Sequence, residues 1–567
     1  MAEKVDEEKA IVGSGGSGSG SLSPSTAGES PVLGRDFSYP QHVETLGHQQ
    51  GQEQTLPDPG SDPTAAAVVV TEPEAWAAAR QFPARPLPLR LTLSPTDPDN
   101  PRNWPLWRRR YIVYVVSFLN VLTGWCAGGI SSGSHQIQAE FGASEEVTTL
   151  GLALYILGFA LGPLLLAPLS ELRGRRGVYI ASWGCVVLLQ LGPALAPNMA
   201  TVLVTRFLSG FAGSAPLTNT GGTVADLFAR DDSGAAMAFY SLCSVLGPPS
   251  ALPVTGYLAQ DLGWRWIFWL LMAITGAYWV LLALTVPETR HNIVLRRKAK
   301  RLRVQMAEAR LASAQSLRDI HADEDADGLG PVLRRHLLRP LHFLFTEPIT
   351  MFAAAYNGFL YGLVFLFNEA FPLVFGPGGH DFDMGQISLC FLGLVIGPCI
   401  AFCLYPLQER YYRRRVAAQD GRPVPEARVW MARAGAVFIP VSLFWFAWTS
   451  FPSVHWVVPV LASALFGAGI YIIILSVLNY VVDAYQTYSA SALAGVILAR
   501  NVVGAGFPLF ANQMYRKLGN EWASSLLGFL ALLLVPIPFI LFYKGKTIRL
   551  KSPWAREHFD TDEDATH

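Results

Sequence analysis

Three ionisable side chains stand deep inside apolar runs of this chain. Arg206, Glu369 and Arg500 are each flanked by neutral or apolar residues. A charge held that far from water is costly, so it faces a protein interior or a wet cavity and usually has a task. Glu369 is the proton carrier on offer. Burial favours the neutral form of a carboxyl and an arriving cation favours the charged form, so such a group can exchange a proton for a cationic substrate. Arg500 falls about 18 Å into its run at 1.5 Å per helical residue. It either balances charge structurally or grips an anionic substrate.

A second set of charges repeats. Pro168-Leu169-Ser170-Glu171 is followed by Arg175-Arg176, and Pro406-Leu407-Gln408-Glu409 by Arg413-Arg414. Asp226 and Asp483 stand at matching places further along. A carboxylate at a helix end beside a basic loop forms charge-assisted bonds to arginine. Arg175 or Arg176 is therefore expected to meet Asp226 or Glu171, and Arg413 or Arg414 to meet Asp483 or Glu409. Two such clusters form a gate that locks one face in one state and breaks in the other. Solvated arginines that only signal topology are the alternative.

These residues need elements that hold them in a membrane. The chain has 567 residues, 51% hydrophobic and 15% charged, with mean hydropathy +0.30. A soluble domain carries about 25% charged residues. Twelve apolar segments lie near 111–131, 149–169, 178–197, 200–222, 235–259, 265–286, 347–374, 386–407, 430–450, 455–480, 488–513 and 523–543. Each is long enough to cross a hydrocarbon core of about 30 Å, and in lipid the backbone must then be helical. The expected fold is all-α and polytopic, with twelve transmembrane helices in two six-helix pseudo-symmetric halves. The halves are 105–286 and 346–545, joined by a cytosolic linker at 287–345 and followed by a tail at 546–567. The repeated charge pattern falls between segments 2 and 3 and between segments 8 and 9, as in transporters built from parallel repeats. Only Arg265, Arg516 and Lys517 are basic in the loops of one side, while the other side is rich in Lys and Arg. The positive-inside rule then puts both termini in the cytosol.

Residues 1–104, with a Gly/Ser tract and scattered prolines, read as disordered. The linker from 293 to 320 is basic and Ala/Leu-rich and is expected to be a helix. It either lies along the anionic inner leaflet or is simply solvated. A soluble enzyme, a secreted disulfide scaffold and a nucleic-acid binder are excluded. Gly13, Gly15 and Gly18 match G-x-G-x-x-G without a strand before them. Gly545-Lys546-Thr547 lacks the first glycine of a phosphate loop, so no ATP-driven pump is expected. The eleven histidines are dispersed and no metal is expected.

The loop Ala167 to Arg176 resembles the G-x-x-x-D-R-x-G-R-R signature of the major facilitator superfamily. Alanine replaces the first glycine, Glu171 the aspartate and Leu172 the first arginine. Arg206 to Gly210 is similar to the family's R-x-x-x-G, and Gly247-Pro248 to the start of its antiporter motif G-P-x-x-G, with Ala251 at the last position. Stretches such as Asn100-Pro101-Arg102-Asn103-Trp104 and Pro287-Glu288-Thr289-Arg290 are similar to the fungal twelve-spanner drug:proton antiporters, the branch of polyamine and multidrug exporters. The resemblance runs from about 98 to 555. It implies export of a drug, polyamine, organic acid or secondary metabolite by alternating access, driven by the proton gradient and without a cofactor. It also implies that Arg206 assists proton movement. Segments 1, 4, 7 and 10 line the cavity in the family, which makes Asn120, Asn219, Asn357, Tyr361, Asn368 and Asn479 candidates beside Arg500. The expected partners are a small molecule, protons and the bilayer, with no nucleic acid. The chain is expected to act as a monomer in the plasma membrane, with the vacuolar membrane as alternative. A uniporter or importer on the same fold, or a channel, is the rival reading.

Overall fold

The structure, a computed structural model, describes residues 68–556 apart from 82–88, 95, 230–231, 315–316, 320–328 and 420–421. The Gly/Ser tract, with the rest of 1–67, and residues 557–567 lie outside the described residues. Among the described residues ten helical segments are long and apolar enough to cross a membrane. The difference from twelve has two local causes. The fourth span, Met199–Gly213 continued by Ala215–Leu227, carries Arg206 and the polar stretch Ser214, Thr218, Asn219 and Thr220, so it is less apolar than the others. The last segment holds two spans, because Ser489–Leu534 is broken at Gly519, where φ is +79°. Twelve crossings result.

Spans 1 to 3 are Leu106–Gly128, Glu145–Leu161 continued by Pro163–Arg173, and Arg175–Leu189. Spans 5 and 6 are Gly234–Leu262 and Trp264–Thr285. Spans 7 to 10 are Pro348–Phe375, Leu392–Ala417, Ala432–Thr449 and Val457–Tyr485. Leucines on the outer faces, such as Leu284 at 80% and Leu533 at 74%, are exposed as lipid contact requires. One apolar core fills each half, and they interlock: Tyr361, Phe365 and Ala505 pack into the core of the first half.

Glycines set how close the spans come. A Cβ on Gly210 of span 4 would lie 2.0 Å from the Tyr155 carbonyl of span 2, and one on Gly124 of span 1 would lie 2.5 Å from Gly247 of span 5. Backbones this close admit no side chain, as at small-residue crossings in membranes generally. The Gly247-Pro248 pair is thus first of all a helix crossing.

The expectation of disorder over 1–104 is corrected from residue 68 onward. Strand β1 (Val68–Val70), helix α1 (Glu72–Gln81) and strand β2 (Leu89–Leu91) fold with linker helix α2 (His291–Glu308) and strand β3 (Arg318–Asp319). The strands are parallel in the order β1-β2-β3. Leu295, Ala299, Leu302 and Met306 form a helical stripe on α2 that packs against Ala75, Ala78, Leu89 and Leu91. The apolar partners of 68–93 come from a stripe more than 200 residues downstream, so local composition hid them. At the centre, Lys298 contacts Asp97 at 2.6 Å, Glu72 at 2.7 Å and Asp99 at 3.4 Å. One face of the linker helix is therefore packed against this module, while Arg296, Arg297, Lys300 and Arg301 stand exposed on the other. This module marks one side of the molecule, the linker face.

Candidate functional site: a central pocket, its vestibule and two charge clusters

A cavity of about 420 Å³ lies between the halves at the linker face, and it reaches the surface where Ala225 and Ala490 are exposed. Asn219, Asn479, Glu171, Arg175, Arg428 and Asp483 line it. Deeper in, a pocket of about 20 Å³ has room for roughly one water and is lined by Asn120, Tyr155, Tyr361 and Arg500 among others. Leu217 lines both cavities, and with Phe159 and Ile497 it forms a small apolar cluster from spans 4, 2 and 11. That plug separates vestibule from pocket. At the far side the halves are joined. Arg516 pairs with Glu145 at 3.1 Å, the Asn512 amide donates to Glu145, and the Gln513 amide donates to Glu146 at 3.3 Å. The Gly385 N–H donates to the Gln260 side chain at 2.8 Å.

The first charge cluster contains the pair foreseen for Arg175. Its Nε meets Asp226 at 3.3 Å, and its guanidinium also donates to the Ser170 hydroxyl at 2.7 Å. Ser170 in turn donates to the Asn219 amide oxygen at 2.9 Å. Glu288 is a member that sequence reasoning passed over. Its carboxylate accepts from the backbone N–H groups of Arg175 at 2.8 Å and Arg176 at 3.3 Å, which caps the start of span 3. Carboxylates are favoured at such a helix start. Gly174 makes this possible: φ is +97° there, and a Cβ would lie 2.3 Å from the Glu288 carboxylate. Arg176 itself turns away and donates to the Ala283 carbonyl at 2.8 Å. Arg290 stands 3.7 Å from Asp226.

The second cluster keeps one expected pair, Arg413 with Glu409, and gives Asp483 a partner the sequence reading did not name. Asp483 is paired with Arg428 at 2.8 Å, and Tyr412 donates to it at 2.9 Å. Arg428 lies over the Tyr412 ring at 3.3 Å and also meets Glu409 at 3.5 Å. Arg413 reaches Glu409, 3.0 Å away, from an exposed position, and Arg414 is exposed. The cause is chain geometry. After the first repeat, Gly174 ends one helix and Arg175 begins the next. No glycine interrupts the second repeat, so span 8 runs on to Ala417 and carries Arg413 and Arg414 outward. Arg428, just ahead of span 9, takes the place that Arg175 has ahead of span 3. That position relative to the next span was the signal available in the sequence.

Arg206 is 1% exposed and has no carboxylate partner among the described residues. It donates to the carbonyls of Cys126, Ala127 (2.7 Å) and Gly151 (3.0 Å) and lies 4.4 Å from the Tyr155 ring centre. It ties spans 1, 2 and 4 together. Glu369, in the far half of span 7, has no hydrogen bond or ion pair among the described residues and lines neither cavity. Asn120 and Tyr361 line the pocket, while Asn219 and Asn479 line the vestibule. Asn357 donates to Ala353 in its own helix at 2.8 Å, and neither it nor Asn368 lines these cavities.

Twelve crossings in two halves around a central cavity is one arrangement that transporter families share, and the chain's sequence decides among them. The pattern of the Major Facilitator Superfamily matches residues 113–508. The chain belongs to the major facilitator superfamily. This transporter is 37% identical over 470 residues to "Efflux pump FUB11" of Gibberella moniliformis, covering 83% of this chain and 78% of that one. It is 36% identical over 460 residues to "Citrinin biosynthesis cluster MFS transporter mrr1" of Monascus ruber, covering 81% and 90%. Among solved structures, the xylose transporter XylE from E. coli in a partially occluded inward open conformation superposes with a TM-score of 0.53 at 16% identity, covering 76% of this chain and 97% of that one. The transporter thus shares its fold with that structure.

Proposed function

We propose that the transporter exports small organic molecules, secondary metabolites among them, in exchange for protons. The linker face is then cytosolic and the membrane is the plasma membrane. One observation carries this reading: the vestibule reaches the linker face while Glu145, Glu146, Asn512, Gln513 and Arg516 join the halves at the other. That is one of the two states alternating access needs, and it is the state that loads cargo from inside. The relatives named as an efflux pump and as a citrinin-cluster transporter support the direction. Glu369 supports proton coupling, as a carboxyl without a cation partner among the described residues in the far half of span 7. The two charge clusters hold the linker ends of the spans while the halves rock, and a single chain contains both halves of the machine.

Metabolite retention tests this. The gene is deleted in its source organism, and intracellular and extracellular small molecules are compared with and without a protonophore. A compound that accumulates inside, with the protonophore mimicking the deletion, is the expected result. A fall in uptake, or no effect of the protonophore, would make the protein an importer or a uniporter.

A further inference from the structure

We infer that the cargo is a small organic anion with an apolar or aromatic body, and that Arg500 is the residue that takes its carboxylate. This rests on the export reading above and narrows its substrate class. The central pocket has one lining residue with a formal charge, and that charge is positive. Arg500 is 3% exposed. Its Nε reaches the Asn501 side chain at 3.4 Å and its guanidinium lies 4.4 Å from the Tyr361 ring centre. Its two terminal nitrogens have no hydrogen-bond partner and the side chain has no carboxylate partner among the described residues. A guanidinium cannot shed its charge, and a ring face and one long amide bond satisfy only part of it. By contrast, Arg175 and Arg428 sit in the vestibule with Asp226 and Asp483 beside them. The lone arginine is the one placed where cargo must pass.

A second buried group in the same pocket also lacks a partner. The Asn120 side chain donates to the Ser117 carbonyl at 3.3 Å and to the Thr220 hydroxyl at 3.4 Å, yet its buried Oδ1 has no donor among the described residues. A fork of donors and an orphan acceptor across an apolar space fit one kind of molecule. Its carboxylate lies on Arg500 and a hydroxyl or N–H group donates to Asn120. Its body lies against Ile156, Phe159 and Phe365. Two N–H groups of an arginine bind a carboxylate side by side. Glu369 does not line the pocket, so a cationic cargo finds no counter-charge there. At about 20 Å³ the pocket has to widen, and the Phe159, Leu217 and Ile497 plug has to part, before cargo enters from the vestibule.

The test uses the purified full-length protein in lipid nanodiscs and three probes with one body: 1-naphthoate, 1-naphthamide and 1-naphthylmethylammonium. At neutral pH, 1-naphthoate is expected to bind at least tenfold more tightly than the amide, and the ammonium to compete with neither. R500Q should abolish that preference and leave the amide within about twofold. R500K, which keeps the charge without the fork, should lose severalfold, and it carries the test if R500Q does not fold. Equal or tighter binding of the ammonium, an unchanged naphthoate affinity in R500Q, or no binding of any probe overturns the assignment. Transport by the same protein in proteoliposomes separates this from the export reading. Arg500-dependent naphthoate exchange that ignores an imposed pH gradient removes proton coupling and keeps the anion site. Gradient-driven movement of the ammonium probe keeps export and removes the anion site.

Discussion

At the residue scale the second charge cluster makes the sharpest prediction. Arg428 and Asp483 are buried partners at 2.8 Å, whereas Arg413 is exposed. Removing one partner of a buried pair leaves the other charge uncompensated and costs about 3–5 kcal/mol, while an exposed pair is worth about 0–1 kcal/mol. R428A should therefore destabilise the detergent-purified protein strongly and R413A hardly at all. The double variant with D483N should show coupling for Arg428 and none for Arg413. Sequence alone found the Arg413 and Glu409 pair but missed Arg428 as the partner of Asp483, because a repeat in residue spacing does not show that span 8 runs on past its copy of the motif. A second prediction concerns pH. His380 lies in the far-face connection between spans 7 and 8, beside Phe375 and Phe382. Burial, and then the charge of His455, hold its imidazole below the ordinary value of 6.5. The folded protein takes up this proton less readily than the unfolded chain. The group's contribution is therefore present above 6.5 and is lost as pH falls through the lowered value. H380F should show a smaller fall in melting temperature between pH 7.5 and 5 than the wild type, measured by tryptophan fluorescence.

At the element scale the span crossings and the linker module are the testable units. G210A adds a Cβ 2.0 Å from the Tyr155 carbonyl, while Gly221 has nothing within 4 Å. Overpacking of a tight core costs about 1–3 kcal/mol or more, so G210A should reduce yield and melting temperature and G221A should leave both near wild type. The twelve spans were legible, because runs of apolar residues have no other solution in lipid. The break in span 4 at Ser214 was not drawn, although Ser214, Pro216, Thr218 and Asn219 interrupt the apolar run there. The linker module was illegible for another reason: residues 68–93 and 291–319 each look insufficient until they are put together. In that module burial works against the Lys298 charge, but bonds to Asp97 and Glu72 outweigh it and hold its proton above the ordinary 10.5. The folded group binds its proton more tightly than the unfolded one. Its stabilisation is thus present below 10.5 and lost as pH rises through the raised value, so it operates fully at neutral pH. K298M, or deletion of 68–93, should expose the Arg-rich helix α2 to trypsin. Limited digestion should then cut between the halves at enzyme doses that leave the wild type whole.

At the scale of the whole molecule, the conformational state is what no sequence pattern could supply. Both states of a rocking transporter have one sequence, so only coordinates report that the vestibule lies on the linker face while Arg516 and Glu145 join the halves opposite. The positions of Arg500 and Asn120 in one pocket likewise depend on spans 11 and 1 meeting across the halves. The Phe159, Leu217 and Ile497 cluster has a further consequence. An apolar constriction sheds water, and protons hop along threads of water. A dry plug between vestibule and pocket is therefore an insulator: it keeps an idle protein from short-circuiting the membrane while it waits for cargo. F159A combined with L217A should wet that gap. Proteoliposomes carrying the double variant should dissipate an imposed pH gradient several times faster than wild type with no cargo present, read with an internal pH dye.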